Sequence, residues 1–291
     1  MSDKCRNSYL TGTKTMLHPG LSETEPSGAT VLAITSGKGG VGKTNIAANL
    51  AICLAGLHQR VVLMDADLGL GNLDVVLNIQ SRHHLAHVIS GHRELEQIIH
   101  IGPLGVEVIC GGSGIEMLAN MNTFQRQRLL DGLDALHRRA DFLIIDTGAG
   151  IQSNVVSFCL ASDQTLVVTT PEPTAMTDAY AMIKVLAANG YAGRISIVVN
   201  MAHSVSEGRL IYRQIADVAG RFLNCPVYEG GLLCRDEAVP NAVRKRMPVV
   251  LGSPKSPFAL SLNEIGMRLT RGKCQKCQRG GFFRKVVHWF F

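Results

Sequence analysis

Short apolar runs alternate along the chain with stretches in which apolar residues recur at every third or fourth position. Runs bounded by turn residues are typical of strands buried in a parallel sheet, whereas the longer spacing indicates helices with one buried face. The runs predict strands at 31–35, 60–64, 105–110, 141–145, 164–169, 195–200 and 225–228. The spacing predicts helices at 45–56, 77–99, 124–139, 175–189 and 207–222. This alternation predicts a single α/β domain over 30–270, with a doubly wound, mostly parallel sheet and right-handed crossovers.

Two terminal segments fall outside this alternation. Residues 1–29 contain Gly, Ser, Thr, Pro and charged residues without a period, which predicts a flexible N-terminal tail. Residues 271–291 form a basic tail that ends in an amphipathic pattern. The chain is therefore expected to consist of one folded domain between two tails.

The end of the C-terminal tail is predicted to be an amphipathic helix. Arg284, Lys285 and His288 lie on its polar side and Trp289 lies at the edge of its apolar face. The apolar face comprises Phe282, Phe283, Val286, Val287, Phe290 and Phe291. A short basic amphipathic helix of this kind is predicted to lie in the interface of an anionic membrane. A helix packed on the core of the protein is the alternative.

The excess positive charge is confined to the same tail. The chain has a formal net charge of +6; six of its 29 Lys and Arg residues and none of its 23 acidic residues lie in 271–291. The remaining residues are therefore balanced in charge, which disfavours a uniformly basic surface and a specific nucleic-acid partner.

Composition predicts a cytoplasmic location. No apolar run approaches the roughly 18 residues of a membrane span, and residues 1–28 lack an apolar signal core. Several of the eight cysteines, among them Cys53, Cys110 and Cys159, lie in apolar runs and are expected to be reduced core thiols. With the C-terminal helix, this predicts peripheral attachment to the inner face of the cell membrane.

A glycine-rich turn between the first strand and the first helix has the pattern of a phosphate-binding loop. The pattern G-x-x-x-x-G-K-[ST] is met within the stretch Gly37, Lys38, Gly39, Gly40, Val41, Gly42, Lys43, Thr44 and Asn45. Glycines bring backbone N–H groups close to phosphate oxygens, and the unpaired N–H groups of the helix start attract anions. Lys43 is predicted to reach the β- and γ-phosphates of a nucleotide, and the Thr44 hydroxyl to bind Mg²⁺.

Acidic residues follow two of the predicted strands. Asp65 and Asp67 follow the strand at 60–64, and Asp146 ends the strand at 141–145. Acids at the carboxyl ends of parallel strands lie beside the crevice where ligands bind in open α/β sheets. Asp146 is predicted to hold Mg²⁺ directly or through water, and Asp65 to be a turn or helix-cap carboxylate.

A second lysine in the loop, Lys38, gives the form K-G-G-x-G-K-T, which resembles the deviant Walker A loop of the MinD/ParA family of dimeric ATPases. The resemblance spans about 30–270 and implies a P-loop NTPase that binds ATP and Mg²⁺ and forms a homodimer on ATP. It implies that Lys38 reaches the ATP of the partner subunit, with Lys38, Lys43 and Asp67 as catalytic residues. Asp67 matches the aspartate that orients the attacking water, and Asn200 matches the residue that contacts the adenine edge.

Two further stretches resemble parts of the same family. Pro171, Glu172, Pro173 and Asp178 lie where relatives approach the dimer partner. The segment 102–115 resembles the flagellar-number regulators of the family, the FlhG/FleN branch, more than MinD itself. This implies a slow ATPase switch that regulates the placement or number of flagella, with protein partners in the flagellar or cell-pole machinery.

Other functions of the family remain open from the sequence. A MinD-type division-site regulator shares every chemical residue, and a ParA-type DNA-partition ATPase shares the nucleotide site. Cys274 and Cys277 form a C-x-x-C pair, and a symmetric dimer would bring two pairs together, as in an iron–sulfur cluster carrier. His84 and His87 have the spacing of a metal pair, although solvated histidines are the favoured interpretation.

Overall fold

The computed structural model describes residues 28–67, 71–81, 83–84, 87–88, 90, 92–111, 123–272, 282–283 and 285–286. The strands are β1 (Thr30–Ser36), β2 (Val61–Ala66), β3 (Ile99–Ile101), β4 (Glu107–Ile109), β5 (Phe142–Ala149), β6 (Gln164–Thr169), β7 (Arg194–Ala202) and β8 (Val227–Cys234). The helices are α1 (Lys43–Gly56), α2 (Leu73–Val76), α3 (Thr123–Arg139), α4 (Ser153–Ala161), α5 (Pro173–Ala188), α6 (Val205–Leu223), α7 (Ala238–Arg244), α8 (Val249–Gly252) and α9 (Pro257–Arg271). Short 3₁₀ turns occupy Leu95–Ile98 and Pro103–Gly105.

All eight strands form one sheet in the order β3-β4-β2-β5-β1-β6-β7-β8. Every pairing is parallel except that of β3 with β4 at one edge. The predicted α/β fold with a mostly parallel sheet is therefore confirmed. Because β1 lies between β5 and β6, the carboxyl end of β1 opens at the point where strand order reverses, which is where such sheets bind ligands.

Helices cover both faces of the sheet. On one face α1, α8 and α9 enclose an apolar cluster with Leu32, Ile144 and Val198. On the other face α4, α5 and α6 pack against β6 and β7, and α3 packs against β2 and β5. The central strands are buried on both faces, as the continuous apolar runs predict.

Local signals explain several helix boundaries. Ser204 precedes α6 and its hydroxyl accepts a hydrogen bond from the Glu207 N–H at 3.2 Å. Ser256 caps α9 in the same way, with Pro257 as the first helical residue. These caps satisfy N–H groups that the helix itself leaves unpaired.

The helix predicted at 77–99 is wrong. Of the described residues in this segment, His87 and Val88 are helical, but residues 77–81 and 83–84 are not. Leu95–Ile98 form the 3₁₀ turn, and Ile99 begins β3, a strand that the sequence did not indicate. Ser81 Oγ lies 3.0 Å from His84 Nδ1, and the His84 N–H donates to His87 Nδ1 at 3.0 Å. Such local bonds between side chains and backbone compete with helical hydrogen bonding.

The apolar face predicted for the C-terminal helix is not exposed. Residues 282–283 and 285–286 are helical, but Phe282, Phe283 and Val286 are only 3–5% exposed. They belong to the apolar cluster that includes Leu133 and Phe158. In this single chain, packing on the core therefore shields these side chains from water. Val287, Trp289, Phe290 and the cysteines of the tail lie outside the described residues, as does the N-terminal tail up to residue 27.

None of the described helices is long and apolar enough to cross a membrane.

Candidate functional site

The phosphate-binding loop joins β1 to α1 at the carboxyl edge of the sheet. Gly40 and Gly42 have φ angles of 78° and 94°, a left-handed region that favours glycine. A Cβ at Gly42 would lie 2.6 Å from Asn200 Nδ2, and a Cβ at Gly37 would collide with the Asp178 carbonyl of α5. The loop therefore needs glycine both for its backbone conformation and for its close packing.

Lys43 begins α1 with its side chain buried in the loop. Its Nζ donates to Ser36 Oγ at 2.9 Å, and Ser36 Oγ donates to the Lys38 carbonyl at 2.6 Å. Burial lowers the pKa of the Lys43 ammonium, while the Asp146 and Asp67 carboxylates act to raise it. The contact of Ser36 with this lysine was not predicted from the sequence.

Asp146 on β5 presents an unpaired oxygen to the same crevice. It is 1% exposed, and its Oδ1 has no hydrogen-bond partner within the described part of the chain. Its carboxylate also forms a side-chain hydrogen bond with Thr44. Burial raises the pKa of Asp146, and the nearby Asp65 carboxylate adds to the rise. A buried acceptor beside a threonine hydroxyl and a lysine fits a Mg²⁺ ion of a bound nucleotide.

Asp65 and Asp67 extend this acidic group from β2. Asp65 pairs in register with Asp146 on the neighbouring strand. Its Oδ1 accepts the Asp67 N–H at 2.9 Å, and its Oδ2 accepts the Leu73 N–H at 3.5 Å. Asp65 thus binds the loop that carries Asp67, which agrees with its predicted role as a turn carboxylate. A Cβ at Gly148 would lie 3.6 Å from Asp67 Oδ1, so Asp67 lies beside the loop that follows Asp146.

Lys38 contacts residues of its own chain. Its Nζ lies 2.5 Å from Glu172 Oε2 and 3.0 Å from Thr174 Oγ1, at the start of α5. The pair is solvent-exposed, with the two side chains 39% and 64% accessible, so it contributes little to stability. The sequence placed Glu172 near a dimer partner and did not indicate this contact within one chain.

Asn200 lies at the end of β7 and is buried against the loop. Its Nδ2 donates to the Val41 carbonyl at 2.8 Å. The neighbouring Met201 has a φ of 59°, at an irregularity in the pairing of β7 with β8 between Val199 and Ala202. The structure thus brings Asn200 to the phosphate-binding loop and gives its amide a contact that the sequence did not suggest. Its contact with the adenine edge stays a prediction.

The two histidines of the candidate metal pair contact each other. The His84 and His87 rings stack with centroids 6.0 Å apart. Among the described residues, no group of three or more His, Cys, Asp or Glu side chains has the arrangement of a metal site. The interpretation as solvated histidines stays a prediction.

Comparison with known proteins matches the loop and most of the domain around it. The sequence profile described as "ParA: NUBPL iron-transfer P-loop NTPase" matches residues 28–215. The chain is similar to the antiactivator FleN of Pseudomonas aeruginosa, with 40% identity over 239 residues, 82% of this chain and 85% of FleN. It is 32% identical to the flagellum site-determining protein YlxH of Helicobacter pylori, over 89% of this chain and 90% of YlxH.

Solved structures share the fold. The septum site-determining protein MinD complexed with Mg-ADP from Pyrococcus horikoshii superimposes with a TM-score of 0.70. The two are 23% identical, and the match covers 86% of this chain and 99% of that one.

Proposed function

This chain belongs to the ParA/MinD family of P-loop NTPases, and on that basis we propose that it is an ATP-dependent switch that regulates the placement or number of flagella. The observation that carries the flagellar assignment is the 32% identity to YlxH, which is named a flagellum site-determining protein, over 89% of the chain. The 40% identity to the antiactivator FleN over 82% of the chain supports placement in the FlhG/FleN branch that the segment 102–115 resembles.

The catalytic part of the proposal is a slow hydrolysis of ATP to ADP and phosphate. Lys43 and the loop N–H groups bind the phosphates, and Thr44 and Asp146 hold Mg²⁺. The metal, when bound, neutralises charge that develops on the phosphate oxygens. Asp67 accepts a hydrogen bond from the attacking water and so orients it toward the γ-phosphate. Asn200 contacts the adenine edge, where its carboxamide can both donate and accept.

The switch consists of a homodimer that forms on ATP and separates after hydrolysis. In the single chain Lys38 is paired with Glu172. Because that pair is exposed and weak, Lys38 can exchange it for the more strongly charged phosphates of the partner subunit's ATP at small cost. Lys38 then neutralises transition-state charge in the neighbouring site, in the manner of an arginine finger.

Membrane attachment is proposed for the C-terminal segment. Its basic residues attract anionic headgroups, each contributing on the order of 1 kcal/mol near the surface. Phe282, Phe283 and Val286 must first leave the apolar cluster in which they are buried. Two segments on one dimer bind as a linked pair, so attachment is stronger for the ATP form. The protein is thus proposed to be cytoplasmic, and peripheral on the inner membrane face when ATP is bound.

The test combines the chemistry with the cellular outcome. Lys43→Ala removes the charge that faces the β- and γ-phosphates, so we expect ATP binding to be lost while the fold, followed by circular dichroism, persists. Cells that carry only this variant should have an altered number or position of flagella and normally placed septa. Lys184→Ala, an exposed lysine on α5, serves as the matched control.

Two results would contradict the proposal. Normal ATP binding by Lys43→Ala would remove the assigned nucleotide site. A change in septum position with unchanged flagella would indicate a division-site regulator instead.

A further inference from the structure

A cavity of about 570 Å³ lies at the amino-terminal edge of the sheet, opposite the phosphate-binding loop. Its walls come from the starts of β1, β5 and β6 and from the second half of α9, including Phe142, Ile265 and Leu269. This volume is within the range of small-molecule sites, roughly 300–1,000 Å³. The proposed nucleotide chemistry does not use it.

The floor of the cavity is polar although it belongs to interior strands. Gln164 on β6 and Ser196 on β7 line the cavity together with Leu166, the register partner of Ser196. Gln164 Nε2 donates to Ser196 Oγ at 3.2 Å, and Ser196 is 1% exposed. Interior parallel strands are usually apolar on both faces. Here a hydroxyl and a carboxamide face an open volume, where they are available to a ligand that carries hydroxyl groups.

Two guanidinium groups lie at the rim. Arg194 stacks over the Tyr228 ring, 4.2 Å from its centroid, and Arg268 donates one N–H to the Gly230 carbonyl at 2.9 Å. Neither guanidinium forms an ion pair with a carboxylate of the described residues. Each therefore keeps several N–H donors for an external anion.

The acidic residues that line the cavity interact with other groups of the same chain. Asp163 Oδ2 accepts the Val31 N–H at 2.8 Å. Glu229 Oε2 lies 4.0 Å from Arg209 Nε, on α6. Lys285, from the C-terminal segment, adds a third cation to the lining. The cavity thus offers the guanidinium groups of Arg194 and Arg268 at the rim above a polar floor with apolar walls.

We propose that this cavity binds the phosphate ester of a small polyol. Arg194 and Arg268 bind the phosphate, Gln164 and Ser196 bind hydroxyl groups, and Phe142 and Leu269 contact the carbon chain. Such a group occurs both as the headgroup of a glycerophospholipid and as a free polyol phosphate. Because Lys285 lines the cavity, an occupant touches the segment proposed for membrane attachment, and to that extent this inference rests on the proposed function.

Calorimetric titration of glycerol 3-phosphate into the full chain saturated with Mg-ADP tests the site. The added nucleotide occupies the phosphate-binding loop, so binding there does not contribute. We expect saturable binding of one molecule per chain, weakened at least tenfold by the double variant Arg194→Gln/Arg268→Gln. Ser196→Leu fills the cavity without removing a charge and should have the same effect. Arg213→Gln/Arg221→Gln, two exposed arginines of α6, should bind as the natural chain does.

Vesicles distinguish the two sources of the ligand. If phosphatidylglycerol vesicles capture the wild-type chain but neither cavity variant, the ligand is a lipid headgroup. If glycerol 3-phosphate binds but the cavity variants are still captured by vesicles, the ligand is a free polyol phosphate. The proposal is overturned if glycerol 3-phosphate does not bind and vesicles capture all variants equally. It is also overturned if the cavity variants keep both their unfolding temperature and their affinity for glycerol 3-phosphate. The cavity variants should hydrolyse ATP at the wild-type rate. Failure of the proposed ATPase function is therefore distinguishable from failure of the cavity proposal.

Discussion

At the residue scale, the position of Asp67 depends on the neighbouring carboxylate of Asp65. A Cβ at Gly71 would lie 2.6 Å from Asp65 Oδ2, and one at Gly111 would lie 3.0 Å from the Asp65 carbonyl oxygen. Two glycines therefore allow two loops to close around Asp65. A side chain at either position would displace the segment that carries Asp67.

Replacing Asp67 by alanine should trap the ATP dimer. The variant loses the group that orients water but keeps the phosphate and Mg²⁺ ligands, so we expect hydrolysis to fall about a hundredfold. Phosphate release and size-exclusion chromatography with ATP measure the two effects. Asp217→Ala, an exposed aspartate on α6, is the control. ATP turnover at the wild-type rate in Asp67→Ala would show that another group orients the attacking water.

Asp65 should make stability depend on pH. Burial raises the pKa of Asp65 from 3.8 to about 6, so between these values the native state holds a proton that the unfolded chain releases. The free energy of unfolding therefore falls as pH rises through this window, by about 3 kcal/mol for this group.

The Asp65→Asn variant removes this contribution together with the effect of the Asp65 carboxylate on the pKa of Asp146. His137, whose pKa is lowered by burial, titrates in both chains. We expect the stability of the natural chain relative to Asp65→Asn to decline between pH 4 and pH 7. Urea unfolding without Mg²⁺ or nucleotide measures this difference. Parallel pH profiles for the two chains would show that the Asp65 proton is not linked to folding.

At the element scale, the C-terminal segment acts as part of the core in the single chain. The Phe282 and Phe283 rings contact edge to face, with centroids 4.7 Å apart. Phe283→Ala should therefore lower the free energy of unfolding by about 3 kcal/mol. Phe222→Ala, at a position that is 75% exposed on α6, should change it by less than about 0.5 kcal/mol. Equal stability of the two variants in urea would show that the segment does not pack on the core in solution.

The elements that the sequence predicted well are those with long continuous or strongly periodic patterns. The strands β1, β5, β6 and β7 and the helices α1, α3, α5 and α6 were predicted with boundaries within a few residues. The short strand β3 was not, because three residues carry too little pattern to be recognised. The segment 77–99 was misread because its apolar spacing does not reveal how its Ser and His side chains bond locally.

The candidate site was predictable where its chemistry is local in sequence. Loop residues, Lys43 and Thr44 follow one another along the chain, and Asp146 ends a clear apolar run. The contacts of Lys38 with Glu172 and of Gly37 with Asp178 join the loop to α5, more than a hundred residues later. Such contacts depend on the order of strands in the sheet, which the apolar pattern alone does not determine.

At the scale of the whole molecule, Lys38 should couple ATP to assembly. Lys38→Ala leaves Lys43 and the loop N–H groups in place, so we expect nucleotide binding to persist while the ATP dimer and hydrolysis are lost. Light scattering with ATP measures the mass, and Lys184→Ala should dimerise as the natural chain does. A normal dimer of Lys38→Ala would refute the role in trans.

The central position of β1 has a consequence for how the chain is made. Thr30 of β1 pairs with Phe142 of β5, and Leu32 pairs with Gln164 of β6. When the ribosome has completed β1 and the glycine loop, both neighbours of that strand are still untranslated. β1 should therefore remain unpaired while on the order of a hundred further residues are added. Its pairing with β5 then closes a long loop of chain, which is a slow step with an entropic cost. The phosphate-binding loop should therefore be unable to hold ATP until β6 has left the exit tunnel, which keeps nascent chains from entering the nucleotide cycle.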